Sequence, residues 1–489
     1  MKNQKVRYFQ PLKFAQPGAD DLKTKSVLQI DYGLFAHVGA TLARKFGKAY
    51  YYTPWQDDFP SSAKQRLGTD MDGLIRVQNF WDYIDKVDLI VFFDTYQADL
   101  IDYLRRKGYR VWGAGRAENM EAHRWEMRVM QKEVGLPTQD TLKIRSVADL
   151  ELYFKGIRRT VFDLVGQVDE SAEQEIFDKI KEKYENFSEN YFITEASDNK
   201  FKMMDEWILG AKNKYIKANM RGDIESFFAP DYDGSLSKLN ALADSFGHRQ
   251  DASEVEFVVE NQVEGIEPGG DHIQINGEFL SPTFYGYEMK GQGDLIKACA
   301  YDELPKPIIE LNDKLSAIIK KYNPTASFFS TEFMMGKDEK PYLIDPTVRN
   351  PAPCGTAIMS EMIENLAEVI WYGAAGIKVS PKINGVYGAG VAIESEWAEE
   401  HELEVEVDPS IQQFVKFRKA YKKNGKYYSV PGFSSICSVI GFGDTIKEAV
   451  DLVKMRMEKV KGYGLQKSTS GLDAVQEEVK KGESYGINF

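Results

Sequence analysis

The sequence is poor in cysteine: Cys299, Cys354 and Cys437 are the only three in 489 residues. Odd in number and far apart, they exclude a disulfide framework and offer no zinc-ligand spacing, and they fit a reducing compartment. No run of about 18 apolar residues occurs, which excludes a spanning helix. The opening stretch MKNQKVRYFQPLKF lacks the apolar core of a signal peptide, so a cytoplasmic location is expected. There is no basic block, and the net charge is −13, so nucleic acid is not an expected partner. Internal repeats and low-complexity tracts are missing. So is any Ser/His/Asp or Cys/His arrangement for nucleophilic catalysis.

What remains is an ordinary globular composition, 43% hydrophobic and 28% charged. A chain this long exceeds one core, and two to four domains are expected. Ser26–Ile30, Ala49–Tyr52, Val87–Phe93 and Tyr109–Trp112 read as strands, with helical patterns at Leu34–Phe46 and Gln97–Lys107 between them. This alternation predicts a parallel, Rossmann-like sheet. The first turn, DYGLFAHVG, lacks G-x-G-x-x-G, so dinucleotide binding has no support, and His37 reads as an ordinary helix residue. Glu118–Val134 and 146–156 read as helices, and 157–210 as a charged and aromatic insertion containing a helix over Glu173–Phe187. Strands follow at Lys214–Asn219 and Glu256–Glu260, then a hairpin turning at Asn276-Gly277. Helices are expected near Pro307–Tyr322, Ser360–Ala374 and Ile446–Lys461. Thr445 and Glu448 form a capping box at the start of the last.

The segment FFSTEFMMGKDEKPYLIDPTVRNPAPC, from Phe328 to Cys354, reads as a second hairpin turning at Gly336–Lys340. Glu332 and Asp345 each interrupt an apolar strand, where an ionised carboxylate is costly unless paired or bound to metal. If the strands pair, the two acids converge, with Arg349 four residues beyond Asp345. Two hard oxygen ligands beside a guanidinium suit Mg²⁺ carrying a nucleotide's phosphates. A surface hairpin with alternating acids is the other reading of the same residues.

The order of parts resembles the ATP-grasp superfamily, and within it the phosphoribosylamine–glycine ligase (glycinamide ribonucleotide synthetase) family. The resemblance runs through Val87–Thr138, the strand carrying Lys217, VVENQVEGIE (Val258–Glu267), Glu332 with Asp345 and Arg349, and CSVIGFGDTIKEAVDLVKMRMEKV (Cys437–Val460). It implies a multidomain α/β and α+β protein. A Rossmann-like pre-ATP-grasp domain would span residues 1–115, and an ATP-grasp domain 116–375, with a lid near 213–282. A small α+β domain would span 376–489.

The implied reaction is ATP-dependent joining of a small carboxylic acid to an amine through an acyl phosphate, with ATP and Mg²⁺ (Mn²⁺ as an alternative), in a monomer or homodimer. Lys217 would reach the α- and β-phosphates. Arg124 stands where the family has a nucleotide-contacting lysine, and reads equally as a helix-surface residue. The backbone of Glu260–Val263 would meet the adenine edge and Glu267 the ribose hydroxyls. Glu332 and Asp345 would hold metal. Arg349 and Lys290 would face the reacting groups, and Arg221 would cover the phosphates from a one-glycine turn. The family's asparagine after the second acid is Thr347 here. Its G-x-G-G-R-E-H, D-H-K-R and P-N-T-G-G-M-G segments have no counterpart, which points to an acceptor other than phosphoribosylamine. The purine-synthesis reaction itself, and a nucleotide-binding scaffold without turnover, are the alternatives.

Overall fold

A computed structural model of the chain describes residues 18, 20–54, 66–156, 210–219, 226–247, 255–289, 293–351 and 354–489. The expected insertion helix Glu173–Phe187, the turn with Arg221, and Lys290 lie outside these residues. The chain divides into two units. The larger comprises 1–118, 266–339 and 344–489, and the smaller 119–265 with 340–343. No helix of the described residues is long and apolar enough to cross a membrane.

The larger unit opens with a parallel sheet of β1 (Ser26–Ile30), β2 (Lys48–Tyr52), β3 (Leu74–Arg76), β4 (Leu89–Val91) and β5 (Val111–Trp112), in the order β3-β2-β1-β4-β5. Helices Ala36–Ala43 and Ala98–Arg106 connect the strands where the alternation placed them. Leu28, Ile90, Ile101 and Leu104 pack in one buried cluster, which fixes the sheet against its helix.

The smaller unit carries an antiparallel sheet of β6 (Thr141–Arg145), β7 (Lys214–Ala218), β8 (Phe227–Ala229) and β9 (Glu256–Asn261), in the order β6-β9-β7-β8. Its core includes Leu150, Tyr153, Ile216 and Phe257.

A long antiparallel sheet forms the body of the larger unit. Its strands are β10 (Gly265–Ile266), β11 (Pro268–Ile275), β12 (Glu278–Phe279), β13 (Thr283–Met289), β14 (Gly293–Cys299), β15 (Ala326–Gly336), β16 (Pro341–Thr347) and β17 (Tyr387–Glu394). The chain then makes β18 (Leu403–Val407), β19 (Val415–Phe417), β20 (Ala420–Lys423), β21 (Lys426–Ser429), β22 (Ser435–Gly443) and β23 (Val460–Gly462). The order in the long sheet is β10-β15-β11-β13-β14-β17-β22-β19, with β12 on β11 and β16 on β15, and β20-β21-β18-β23 make a separate sheet. Asn276 and Gly277 both have positive φ, 54° and 80°, as a tight hairpin turn requires. The capping box at Thr445 and Glu448 forms as expected, and the helix it starts runs Ile446–Met457.

Two helices are more broken than periodicity suggests. The expected Glu118–Val134 helix is interrupted at His123, and Arg124–Glu133 starts afresh. Its cap is tertiary: Trp125 N–H donates to Asn219 Oδ1 at 2.9 Å. The expected Ser360–Ala374 helix is instead Cys354–Met362 followed by Leu366–Gly373. Between them Ile363 bridges to Ile383, and Glu364 N–H donates to Lys382 O, so the backbone bonds sideways rather than along the helix. The helix Tyr232–Gly247 and the strands β6, β13 and β14 were not marked by the sequence pattern.

Candidate active site

The register of the long sheet builds one face. Glu332 on β15 pairs with Gly269 on β11, Gly269 with Gly286 on β13, and Gly286 with Ile296 on β14. Directly opposed residues of antiparallel strands project to the same side. Two residues to one side of this row Asp271 pairs with Ser330, and two residues to the other side Glu288 pairs with Asp294. Carboxylates therefore surround a floor where two glycines leave bare backbone. These residues, with Glu267 and Arg349, line a single cleft of the larger unit.

Thr347 Oγ1 donates to Glu332 Oε1 at 3.1 Å. Asp345 lies two residues before Thr347 on β16, and strand periodicity puts both on the side that Glu332 occupies. Both acids are half-buried. Among the described residues no group of three or more His, Cys, Asp or Glu closes into a metal cage. Mg²⁺ needs none, because it retains waters and takes one or two carboxylates plus substrate phosphates. Glu332 and Asp345, with Thr347 holding one of them, fit that ion.

Arg349 follows β16, and its Nη1 donates to Asn350 O at 3.2 Å. Asn350 N–H in turn donates to Phe93 O, just past the carboxyl end of β4. The guanidinium is thus fixed beside the edge of the parallel sheet where ligands of α/β proteins commonly bind.

In the smaller unit Lys217 is buried on β7, its Nζ 3.5 Å from Glu260 Oε2. Glu260, on β9, is also gripped by Arg128: Nη2 donates to Oε2 at 2.9 Å, and Nε donates to Oε1. Arg128 Nη1 reaches Leu343 O at 2.8 Å. The side chain of Glu260 is therefore committed to two cations in the core, and Lys217 is not an exposed strand lysine. Beyond Asn261 the backbone of Gln262–Glu264, Val263 included, leaves the ladder before β10. Arg124 opens its helix and donates through Nη1 to Ala218 O at 2.8 Å, which ties that helix to the end of β7.

Sequence reasoning missed Arg128, Asp271, Glu288 and Asp294. Asp271 and Asp294 lack the mark that singled out Glu332, an acid inside an apolar strand, because glycine or polar residues flank them in PGGDHIQI and GDLIKAC. Burial raises both carboxyls, Asp271 to about 6, opposed by a hydrogen bond from Ser330, and Asp294 to about 7. The negative charge of Asp271 adds to the rise at Asp294, while backbone N–H groups of Gly355 and Cys354 oppose it.

No family model and no curated relative matches the sequence. Solved structures do match. A phosphoribosylamine–glycine ligase from Thermotoga maritima superposes with a TM-score of 0.61 at 16% identity, covering 90% of this chain and 98% of that one. The chain has the ATP-grasp fold. The biotin carboxylase domain of 2-oxoglutarate carboxylase from Hydrogenobacter thermophilus, in complex with MgADP and bicarbonate, shares this fold. It gives a TM-score of 0.57 at 12% identity over 90% of this chain and 91% of that one. An L-amino acid ligase from Bacillus licheniformis gives 0.51 at 12%, over 90% and 98%. The multidomain mixture of a parallel sheet and antiparallel sheets is the architecture these ATP-grasp proteins have in common with the chain.

Proposed function

We propose that the protein is an ATP- and Mg²⁺-dependent ligase that joins a small carboxylic acid to an amine through an acyl phosphate. The observation that carries this reading is the shared face of Glu332, Thr347 and Asp345 beside the anchored Arg349. Glu332 and Asp345 would hold Mg²⁺, which when bound neutralises phosphate charge and draws electron density from the γ-phosphoryl group. Lys217 and Arg124 would serve the nucleotide's phosphates, the Glu260–Val263 backbone its base, and Glu267 its ribose. Arg221 and Lys290 take the phosphate-covering and acyl-side roles given to them by resemblance.

The substrate carboxylate attacks the γ-phosphorus and ADP leaves. The amine then attacks the acyl carbon, the C–O bond to phosphate breaks, and the nitrogen gives up a proton. Arg349 would stabilise the negative oxygens of both steps. No enzyme nucleophile is required, so positioning and electrostatics carry the catalysis.

The likeness to a phosphoribosylamine–glycine ligase favours that reaction as the second reading. One assay separates the two. Protein is incubated with Mg-ATP and pools of acids and amines while ADP is followed. Release that needs both an acid and an amine supports the ligase, and glycine with phosphoribosylamine as the only active pair supports the second reading. Tight ATP binding without turnover in any pool refutes both.

A further inference from the structure

The cleft holds more negative charge than the nucleotide and its metal use. Asp294 is only 5% exposed, lines the cleft, and its Oδ1 has no hydrogen-bond partner. Asp271 accepts from Ser330 Oγ at 2.8 Å, and its Oδ2 lies over Gly355, 3.2 Å from where a Cβ would stand. Among the described residues neither carboxylate belongs to an ion pair. Arg418 acts on Asp294 from a distance, but its charge is shared with Glu288 and its Nη2 makes no hydrogen bond. A buried acid with one oxygen unanswered, and a half-buried acid on the far side of the glycine row, are costly to hold as they stand. A group with three N–H donors and a positive charge answers both needs. A phosphate would meet Asp271, Asp294 and Glu288 with like charge.

Resting on the ligase reading, we propose that the amine co-substrate is an organic cation with a second ammonium group, which docks against Asp271 and Asp294. The docked ammonium keeps its protons. The free amino end is the one that forms the N–C bond as phosphate departs, and its surplus proton passes to solvent. The two acids select the co-substrate and take no part in bond making.

Calorimetric titration of the full chain, at saturating Mg²⁺ and ADP, tests this without turnover. The probes are 1,3-diaminopropane, putrescine and phosphoethanolamine. The wild type is expected to bind at least one diamine, and at least tenfold more tightly than phosphoethanolamine. Asp294→Asn and Asp271→Asn should each weaken the diamine at least tenfold while leaving ADP affinity within twofold. Equal or tighter binding of phosphoethanolamine overturns the proposal even if neither variant folds. An unchanged diamine affinity in a folded Asp294→Asn protein overturns it as well, as does competitive displacement of the diamine by added Mg²⁺, which would make this a metal site. Diamine binding that depends on Asp294, with no ADP release in any pool of acids, supports the cation site and refutes the ligase reading on which the substrate role rests.

Discussion

The hydroxyl of Thr347 donates to Glu332 across the β15–β16 hairpin, and so holds one of the two metal-ligand candidates. The bond orients the carboxylate without adding charge. Thr347→Val should therefore raise the Mg²⁺ concentration for half-maximal ADP release by roughly tenfold, as losses of ligand-orienting partners do. Thermal stability should change little. A magnesium titration of ADP release checks this, and an unaltered midpoint would remove Thr347 from the site.

Glu332→Gln keeps the shape of the side chain and its ability to accept from Thr347 but removes the charge. Metal-dependent ADP release should fall by roughly 100-fold or more, with the melting temperature nearly constant. Unchanged turnover in the folded variant would refute the metal assignment.

Arg128, Glu260 and Lys217 form a buried charge cluster in which the two cations are not equivalent. Arg128 makes two bonds to Glu260 and one to a backbone carbonyl, whereas Lys217 approaches at 3.5 Å. Removing the better-bonded partner leaves a buried carboxylate with only the longer contact to Lys217. Arg128→Ala should cost about 3–5 kcal/mol in urea unfolding. Lys217→Met keeps the Arg128–Glu260 pair, so it should cost less than half as much and instead weaken ATP binding by roughly tenfold. The reverse ranking of the two stabilities would mean that Lys217 is the structural cation.

The raised carboxyls of Asp294 and Asp271 make a pH prediction whose sign is set by linkage. Unfolded, each releases its proton near pH 4; folded, they hold it to about 7 and about 6. The folded chain binds more protons across that window, so their contribution to stability declines as pH rises from about 4 to 7. Asp294→Asn should then be more stable than the wild type at pH 8, by on the order of 1–3 kcal/mol, and similar to it at pH 4. Urea melts of the ligand-free proteins at the two pH values decide the matter.

Gly269 and Gly286 stand side by side in the cleft floor but tolerate a side chain differently. A Cβ at 269 would find only Thr331 O, at 3.6 Å, whereas one at 286 would meet Leu295 O at 2.1 Å. Gly286→Ala should lose stability, by about 1–3 kcal/mol from strand distortion. Gly269→Ala should fold normally and lose activity or co-substrate affinity. Equal melting temperatures for the two variants would contradict this account.

The parts of this fold that were legible in sequence are those whose signals are local. Four of the five parallel strands, all but β3, announce themselves as short apolar runs ended by turn residues, Asn276-Gly277 as a hairpin turn, and Thr445 with Glu448 as a cap. The parts that were not legible depend on partners distant in the chain. The restart of the helix at Arg124 rests on Asn219, and the interruption after Met362 rests on the segment at Ile383. The site divides in the same way. The half-buried acids of the β15–β16 hairpin stood out because their turn is short and charged. Asp271 and Asp294 are brought together by strand register over 23 residues, which no local window contains. Arg128 reads as one more charge on an amphipathic helix until Glu260 is seen beside it.

The two adjacent glycines of the floor have a consequence for how such a cleft can diverge. Reach into the cleft is governed by side chains that are missing, and preference for a positive guest by acids on neighbouring rows. A descendant that gains one methyl at 269 accepts a shorter molecule of the same charge, while one that trades an aspartate for asparagine accepts a neutral molecule of the same length. Size and charge can drift separately here, leaving the β15–β16 hairpin as it was.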